Sequence, residues 1–302
     1  MTNHCTPLRY PGGKQQMSGY IKSLLTVNKL HDGVYVEPYA GGAGVALDML
    51  FSEYVSFLYL NDLDRNIYAF WWSVLNASNE IVERLNSTDA TIDNWMAQHD
   101  ILKNATDKTP LIDRGFATLF LNRCNRSGIL SAGPIGGKSQ QGKWKMDARF
   151  NREDLSNRIK RIAKYKTRIQ ISNKDSLEFM YDAKREINTF KSSFIYLDPP
   201  YYQKGQELYL NAYKPEDHSR VASFISTEYA DMNWIVSYDA CLPIAMLYSN
   251  FRCSVQELNY SVTTHKKGKE LVFYSKTIVL PQGVDIVNPV AMIEALEQHT
   301  AG

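Results

Sequence analysis

Asp198-Pro199-Pro200-Tyr201-Tyr202 carries the residue types best suited to chemistry in this chain. The Asp198 carboxylate is one hydrogen-bond acceptor. The Pro199 carbonyl is a second, and the prolines bring no N–H to compete for it. The aromatic ring of Tyr201 follows directly. Two acceptors beside a flat ring suit a planar substrate with an exocyclic amine. The competing account is a plain turn at a strand end.

Holding that group in place requires a strand before it. Residues 193–197 form an apolar run, SFIYL, that reads as a buried strand stopped by the prolines. Far upstream, residues 34–39 read as a strand, residues 40–44 as a glycine-rich turn and residues 45–50 as a helix. Strand, glycine turn and helix open a nucleotide-binding α/β domain. Leu47 stands where the third glycine of GxGxxG would fall, and no GxxxxGK[ST] is present, so a phosphate cradle is poorly supported. A second strand at 55–60 ends in Asn61-Asp62-Leu63-Asp64. An acid roughly 20 residues beyond the glycine turn suits ribose hydroxyls. Capping the next helix is the alternative for Asp62.

The remaining elements follow the same reading. Residues 7–14, PLRYPGGK, turn through two prolines and two glycines into a helix that Lys14 opens. From Arg65 the α/β rhythm breaks for about a hundred residues, the length of a small domain. Helices are expected at 66–76, 91–104, 111–122 and 152–165, and a hairpin or loop pair at 129–150 with Trp144 and Met146 on one anchored face. Strands resume at 168–172, 193–197 and 234–239, with a lid-like loop at 203–213. Two last strands, 254–260 and 271–276, flank a basic turn at 265–269, and the tail beyond Asp285 reads as a short helix or a partly ordered segment.

Charge is unevenly spread. The 302-residue chain has a formal charge of only +2. Residues 65–113 hold four Lys/Arg against seven Asp/Glu, whereas residues 114–168 hold fourteen against three. A basic stretch laced with Asn, Gln, Ser and Trp has the makeup of a nucleic-acid surface, with a merely solvated basic face as the alternative. No apolar run approaches the ~20 residues of a membrane span. Four scattered cysteines, with neither Cys-x-x-Cys nor His at ligand spacing, indicate reduced thiols and no metal site.

Taken in order, PLRYPGGK, EPYAGGAG, NDLD and DPPYY resemble the motifs of Dam-type DNA adenine-N6 methyltransferases, the D12 class. The resemblance spans residues 7–276. It implies an α/β fold: a Rossmann-like, mostly parallel sheet of seven strands that uses S-adenosylmethionine (AdoMet), interrupted by a helical DNA-recognition insert. The corresponding parts are residues 1–66 and 167–285 for the catalytic domain, 67–166 for the insert and 286–302 for the tail.

Site roles follow from the resemblance. Tyr10 and Lys14 match N-terminal cofactor-binding positions. Glu37, Pro38, Ala40, Gly41, Gly42 and Gly44 match the loop beneath the methionine part of AdoMet. Glu37 stands where relatives often carry Asp, with the charge preserved. Asp62 matches the ribose-binding acid and Asp175 an acid near the adenine. Asp198, Pro199, Pro200 and Tyr201 match the catalytic platform, Asp198 also touching the cofactor. FLNRCNRSGI, at residues 120–129, resembles an Asn-rich DNA-contact segment. It contributes Asn122, Arg123, Asn125, Arg126 and Ser127 as candidate contacts, with Lys138, Lys143, Lys145 and Arg149 from the loop beyond. The expected partner is double-stranded DNA whose adenine flips out and stacks on Tyr201. No obligate protein partner is evident. The expected location is the bacterial cytoplasm, nucleoid-associated or phage-encoded, with restriction-modification among the possible roles. RNA adenine, cytosine N4 and protein glutamine are rival amines; glutamine-modifying relatives prefer Asn-Pro-Pro-Tyr and cytosine-N4 enzymes Ser-Pro-Pro. A silent DNA-binding module and a nicotinamide oxidoreductase are rivals of other classes.

Overall fold

The computed structural model describes residues 5–9, 14–190, 192–202, 213–261 and 265–300. Tyr10, Gly12, Gly13 and nearly all of the expected lid lie outside the described residues. Seven strands form one sheet: β1 (Gly33–Glu37), β2 (Val55–Asn61), β3 (Ile169–Ser172), β4 (Ser193–Leu197), β5 (Trp234–Asp239), β6 (Arg252–Ser261) and β7 (His265–Tyr274). Their order is β3-β2-β1-β4-β5-β7-β6. β4 runs parallel to β1 and to β5, while β7 is antiparallel to β5 and β6. The sheet is therefore mixed α/β, and its order reverses between β1 and β4.

Helices α1 (Ser18–Val27) and α2 (Gly44–Phe51) flank β1 in sequence. Between β2 and β3 come α3 (Arg65–Asn76), α4 (Ser78–Ser87), α5 (Ile92–Lys103), α6 (Leu111–Cys124) and α7 (Arg152–Ala163). Then follow α8 (Ser176–Ile187), α9 (Pro215–Thr227), α10 (Leu242–Leu247) and α11 (Pro289–Thr300). No helix among the described residues is long and apolar enough to cross a membrane.

The chain divides into two compact units. One comprises residues 1–13, 40–48 and 60–174; the other comprises 14–39, 49–59 and 175–302. In the second unit, every residue of β1 is buried, and four of the five in β4. Such continuous burial explains why these strands read as apolar runs and not as alternating ones. Val34, Val36, Ile195, Leu197, Trp234, Val236 and Phe273 join one apolar core there. In the first unit, α3 and α6 pack closely. A Cβ on Gly115 would lie 2.2 Å from Ser73 Oγ and 2.5 Å from the Ala69 carbonyl, so only glycine permits this approach.

Two expectations are corrected and one alternative is decided. Of the hairpin or loop pair expected at 129–150, the structure has the loop: the stretch runs through turns and ends in a 3-10 turn at Met146–Arg149. Gly136, Gly137 and Gln140 all have positive φ, which coils the backbone out of an extended path. Its anchored face is also half wrong, since Met146 is buried but Trp144 is exposed. The basic run 265–269 lies inside β7, paired with β6, and is not a turn. Helix α4 was not anticipated, because SNEIVERLNS offers only Ile81, Val82 and Leu85 as an apolar face.

Candidate active site and nucleic-acid surface

β1 and β4 end side by side, with Val36 paired to Ile195. In open α/β sheets ligands bind beyond the carboxyl ends of strands where the order reverses. Glu37 closes β1, and Asp198 follows the last residue of β4. Asp198 Oδ1 accepts from Lys14 Nζ at 2.8 Å and from Ser237 Oγ, on β5, at 3.0 Å. Neither bond uses Oδ2, and the Asp198 side chain is 24% exposed. Pro199 is buried and Pro200 partly so. Glu37 is buried and accepts from Tyr35 Oη at 3.0 Å. Pro38 lies just beyond it and is also buried.

Glu270, on β7, is a residue that the sequence reading missed. It is fully buried and accepts from Lys14 Nζ at 2.8 and 2.7 Å through its two oxygens. It also accepts from Tyr201 Oη at 2.7 Å. One signal was available: a glutamate at the head of the apolar run LVFY, where a charge has no reason to be unless paired. Tyr201 departs from expectation. Its ring is buried, with the Lys14 ammonium 5.0 Å from the centroid, so it is not an open stacking face here. Glu270 draws the phenol inward, and Lys14 covers the ring.

The electrostatics follow from one cation between two anions. Burial acts to lower the Lys14 pKa, but the Asp198 and Glu270 carboxylates outweigh it and hold the ammonium charged. Burial raises the Asp198 carboxyl; Lys14 opposes that shift and Glu270 adds to it, leaving a net rise. Asp175 caps α8, accepting from the Leu177 N–H at 3.0 Å.

In the other unit, the glycine turn is tied down at several points. The Ala40 N–H donates to the Asn61 carbonyl at 2.8 Å, and the Gly41 N–H donates to Asp62 Oδ2 at 2.8 Å. Trp71 Nε1, on α3, donates to the Gly41 carbonyl at 2.9 Å. Gly41 has φ 45°, left-handed backbone that suits glycine. Gly42 is buried, and Gly44 opens α2. Asp62 does not cap α3; Asp64 does, accepting from the Asn66 N–H at 2.8 Å. Asp62 Oδ1 instead accepts from the Asp64 N–H at 2.8 Å. Burial, aided by the charge of Asp64, pushes the Asp62 carboxyl up to about 7 against the pull of those two backbone bonds. A tied-down turn and a buried carboxylate with no cation partner among the described residues fit a ligand that brings hydroxyl donors.

The Asn-rich segment is mostly framework. Asn122 is buried, and its Oδ1 accepts from the Arg9 N–H at 2.7 Å. Its Nδ2 donates to the Arg9 and Gly128 carbonyls at 2.7 and 2.8 Å. Asn125 Oδ1 accepts from Trp95 Nε1 at 2.6 Å, while its Nδ2 donates to the Ile129 and Leu130 carbonyls, both at 3.0 Å. Both amides are consumed internally, because turning the chain after α6 leaves carbonyls that need donors. Asn125→Ala is expected to cost about 2–4 kcal/mol, orphaning the indole N–H and two carbonyls. Chemical unfolding measures this, and an unchanged midpoint would refute the framework role.

Arg123 is also inward. It donates through Nε to the Arg149 carbonyl at 2.6 Å and through Nη1 to the Pro7 carbonyl at 3.4 Å. Burial, then the charges of Arg9 and Arg158, lower its pKa to about 10. Ser127 sits at φ 55° and is partly buried. Arg126, Lys138, Lys143, Lys145 and Arg149 are exposed.

The family model for D12 class N6 adenine-specific DNA methyltransferases matches residues 10–262. No match was found among curated proteins. Among solved structures the chain is similar to a conserved hypothetical protein from Streptococcus pyogenes. The identity is 11%, over 82% of this chain and 88% of that one, with a TM-score of 0.31, too low to argue from. The family match contains Lys14, the glycine turn, Asp62 and Asp198, the residues whose geometry is described above. The chain belongs to the D12 class of N6 adenine-specific DNA methyltransferases.

Proposed function

We propose that this protein transfers a methyl group from AdoMet to N6 of an adenine flipped out of double-stranded DNA. The observation that carries the proposal is Asp198, set beyond β4 where the strand order reverses and held by Lys14 and Ser237. AdoMet, when bound, supplies an electrophilic methyl group on a sulfonium. Asp62 would accept the ribose hydroxyls, and the turn from Glu37 to Gly44 would lie against the methionine part. Asp175 would lie near the cofactor adenine.

The adenine amine is a poor nucleophile because its lone pair is delocalised into the ring. Asp198 accepts one amino N–H and the Pro199 carbonyl the other. Both bonds favour a nitrogen nearer tetrahedral, with its lone pair aimed at the methyl carbon. Positioning and electrostatics then do the catalysis. Lys14 and Ser237 fix the carboxylate in advance. The amino proton leaves after transfer, so no strong base is required. Duplex stacking hides the amine, so the base must leave the helix. Arg126, Lys138, Lys143, Lys145 and Arg149 are the exposed candidates for phosphates and base edges. Asn122 and Asn125 then serve by holding the segment's shape.

Expression in a methylation-free bacterial host, followed by single-molecule sequencing of genomic DNA, tests the reading. Methyladenine at one defined motif supports it. Unmodified DNA, with RNA methylated instead, would overturn it. Titration with AdoMet against NAD checks the cofactor.

Asp62 gives that cofactor a pH signature. Ribose hydroxyls donate to the carboxylate form, so binding lowers the Asp62 pKa and releases a proton. Affinity for AdoMet is therefore expected to rise as pH increases toward about 7 and to level off above it. Calorimetric titration between pH 5.5 and 8.5 would show this slope (roughly tenfold per unit at most, for one proton). Asp62→Asn should bind weakly and flatten it; a pH-independent wild type would exclude the role.

A further inference from the structure

Trp144 is 66% exposed, the most exposed of the large apolar side chains in the described residues. Leaving an indole in water forfeits a large burial gain, so an indole carried on a tied-down loop among cations marks a contact. The backbone that carries this one is tied down. Its loop is stitched to the end of α6 by the Ile135 N–H on the Cys124 carbonyl at 2.8 Å, and to the turn after α6 by the Arg126 N–H on the Gly133 carbonyl at 3.1 Å. Gln140 then pins the loop from inside. Its Nε2 donates to the Ile135 and Gly137 carbonyls at 2.8 and 2.6 Å, and its Oε1 accepts from the Met146 N–H at 3.0 Å. Lys145 Nζ donates to the Gln140 carbonyl. Two residues beyond Trp144, Met146 is 1% exposed and plugs the loop into the unit's core. A Cβ on Gly136 would come within 2.7 Å of the Trp144 carbonyl, so the backbone that presents the indole depends on that glycine.

The surroundings identify the occupant. Lys143 Nζ lies 5.8 Å from the Trp144 ring centroid. Lys145 and Arg149 are exposed on the same loop, and residues 138–149 hold four Lys/Arg against one Asp. An exposed aromatic ring beside one cation, on a loop carrying others, is complementary to stacked bases between phosphates. We infer that Trp144 is an aromatic wedge that stacks against the bases of DNA while Lys143 and Lys145 hold the flanking phosphates. The inference rests on the proposed DNA substrate and adds the residue that enters the stack.

The test is duplex binding by wild type, Trp144→Ala, Trp144→Phe and Lys143→Gln as a function of salt. Aromatic–base stacking is worth about 1–3 kcal/mol per base, so Trp144→Ala should raise Kd roughly 5- to 150-fold. Its salt slope should stay unchanged, because no cation is removed. Lys143→Gln should instead reduce the slope by about 0.9. Trp144→Phe should retain most of the affinity. DNA should quench the wild-type indole emission, and the quenching should disappear in Trp144→Phe. Thermal unfolding of the three variants should match wild type, since the side chains are exposed. Wild-type affinity in Trp144→Ala, or DNA-induced quenching that survives in Trp144→Phe, would overturn the wedge and leave the DNA substrate standing. A wild type that binds no duplex would overturn both. A binding loss in Trp144→Ala accompanied by a lowered melting temperature would also overturn it, by making the residue structural.

Discussion

Asp198→Ala is expected to abolish methyl transfer while leaving duplex affinity within about twofold of wild type, the small effect of a group that does not touch phosphate. Two acceptors are proposed to work on the amino nitrogen, and only the side chain can be deleted. Losing one preorganised hydrogen-bond partner at a reacting centre typically lowers kcat by about 10²–10³. The loss should exceed that range here, because the lone pair is freed only while its N–H bonds are held. The fold should survive the change. Lys14 keeps both oxygens of Glu270 at 2.8 and 2.7 Å, so a buried ammonium is not left alone. Ser237 keeps Tyr196 Oη at 3.0 Å as a partner. Single-turnover methylation of a duplex carrying the target motif, beside a binding isotherm, separates chemistry from recognition. Turnover within tenfold of wild type would remove Asp198 from the chemistry.

The parts of the molecule that were legible in the sequence are those dictated by local pattern. β4 and β5 fall on the residues where apolar runs placed them, because strands buried on both faces leave no ambiguity of phase. The glycine turn, Asp62 and Asp198 stand at strand ends, where a change from apolar to polar residues marks the boundary. The illegible parts depend on partners distant in sequence. Nothing near Glu270 reveals Lys14, since 256 residues separate them. Asn122 and Asn125 look like contact residues by type, and only the fold shows their amides occupied by Arg9, Trp95 and the loop carbonyls. Trp144 reverses that error: large aromatic residues are ordinarily buried, and the prior for an anchor was overridden by Gln140, whose bonds shape the loop from within. Side-chain hydrogen bonds of this kind leave no periodicity to read.

Glu270→Gln is the second large effect and the sharper probe of the platform. The substitution keeps shape and removes charge. A glutamine Oε1 can still accept from Tyr201 Oη and Lys14 Nζ, but the amide nitrogen that replaces the second oxygen turns N–H donors on Lys14 Nζ, which has only donors to offer. Asp198 then supplies the one negative charge beside Lys14 in this group of side chains. A cation no longer shared with a second anion withdraws density from the carboxylate that should accept the amine. We therefore expect kcat to fall roughly 10- to 100-fold, the range for a lost electrostatic contact at a reacting centre, with little change in duplex affinity. Breaking one arm of a buried ion pair also costs about 3–5 kcal/mol of stability, so assays belong well below the unfolding temperature. The pH profile distinguishes positioning from simple destabilisation. Burial first, and then the Glu270 charge, raise the Asp198 carboxyl against the pull of Lys14. Removing that charge lowers the Asp198 pKa, so the acid limb of the kcat profile should move to lower pH in Glu270→Gln. A merely loosened fold would reduce kcat at every pH without moving the limb. An unshifted limb with normal kcat would mean that Lys14 alone sets the carboxylate, and that β7 contributes packing but no electrostatics to the reaction.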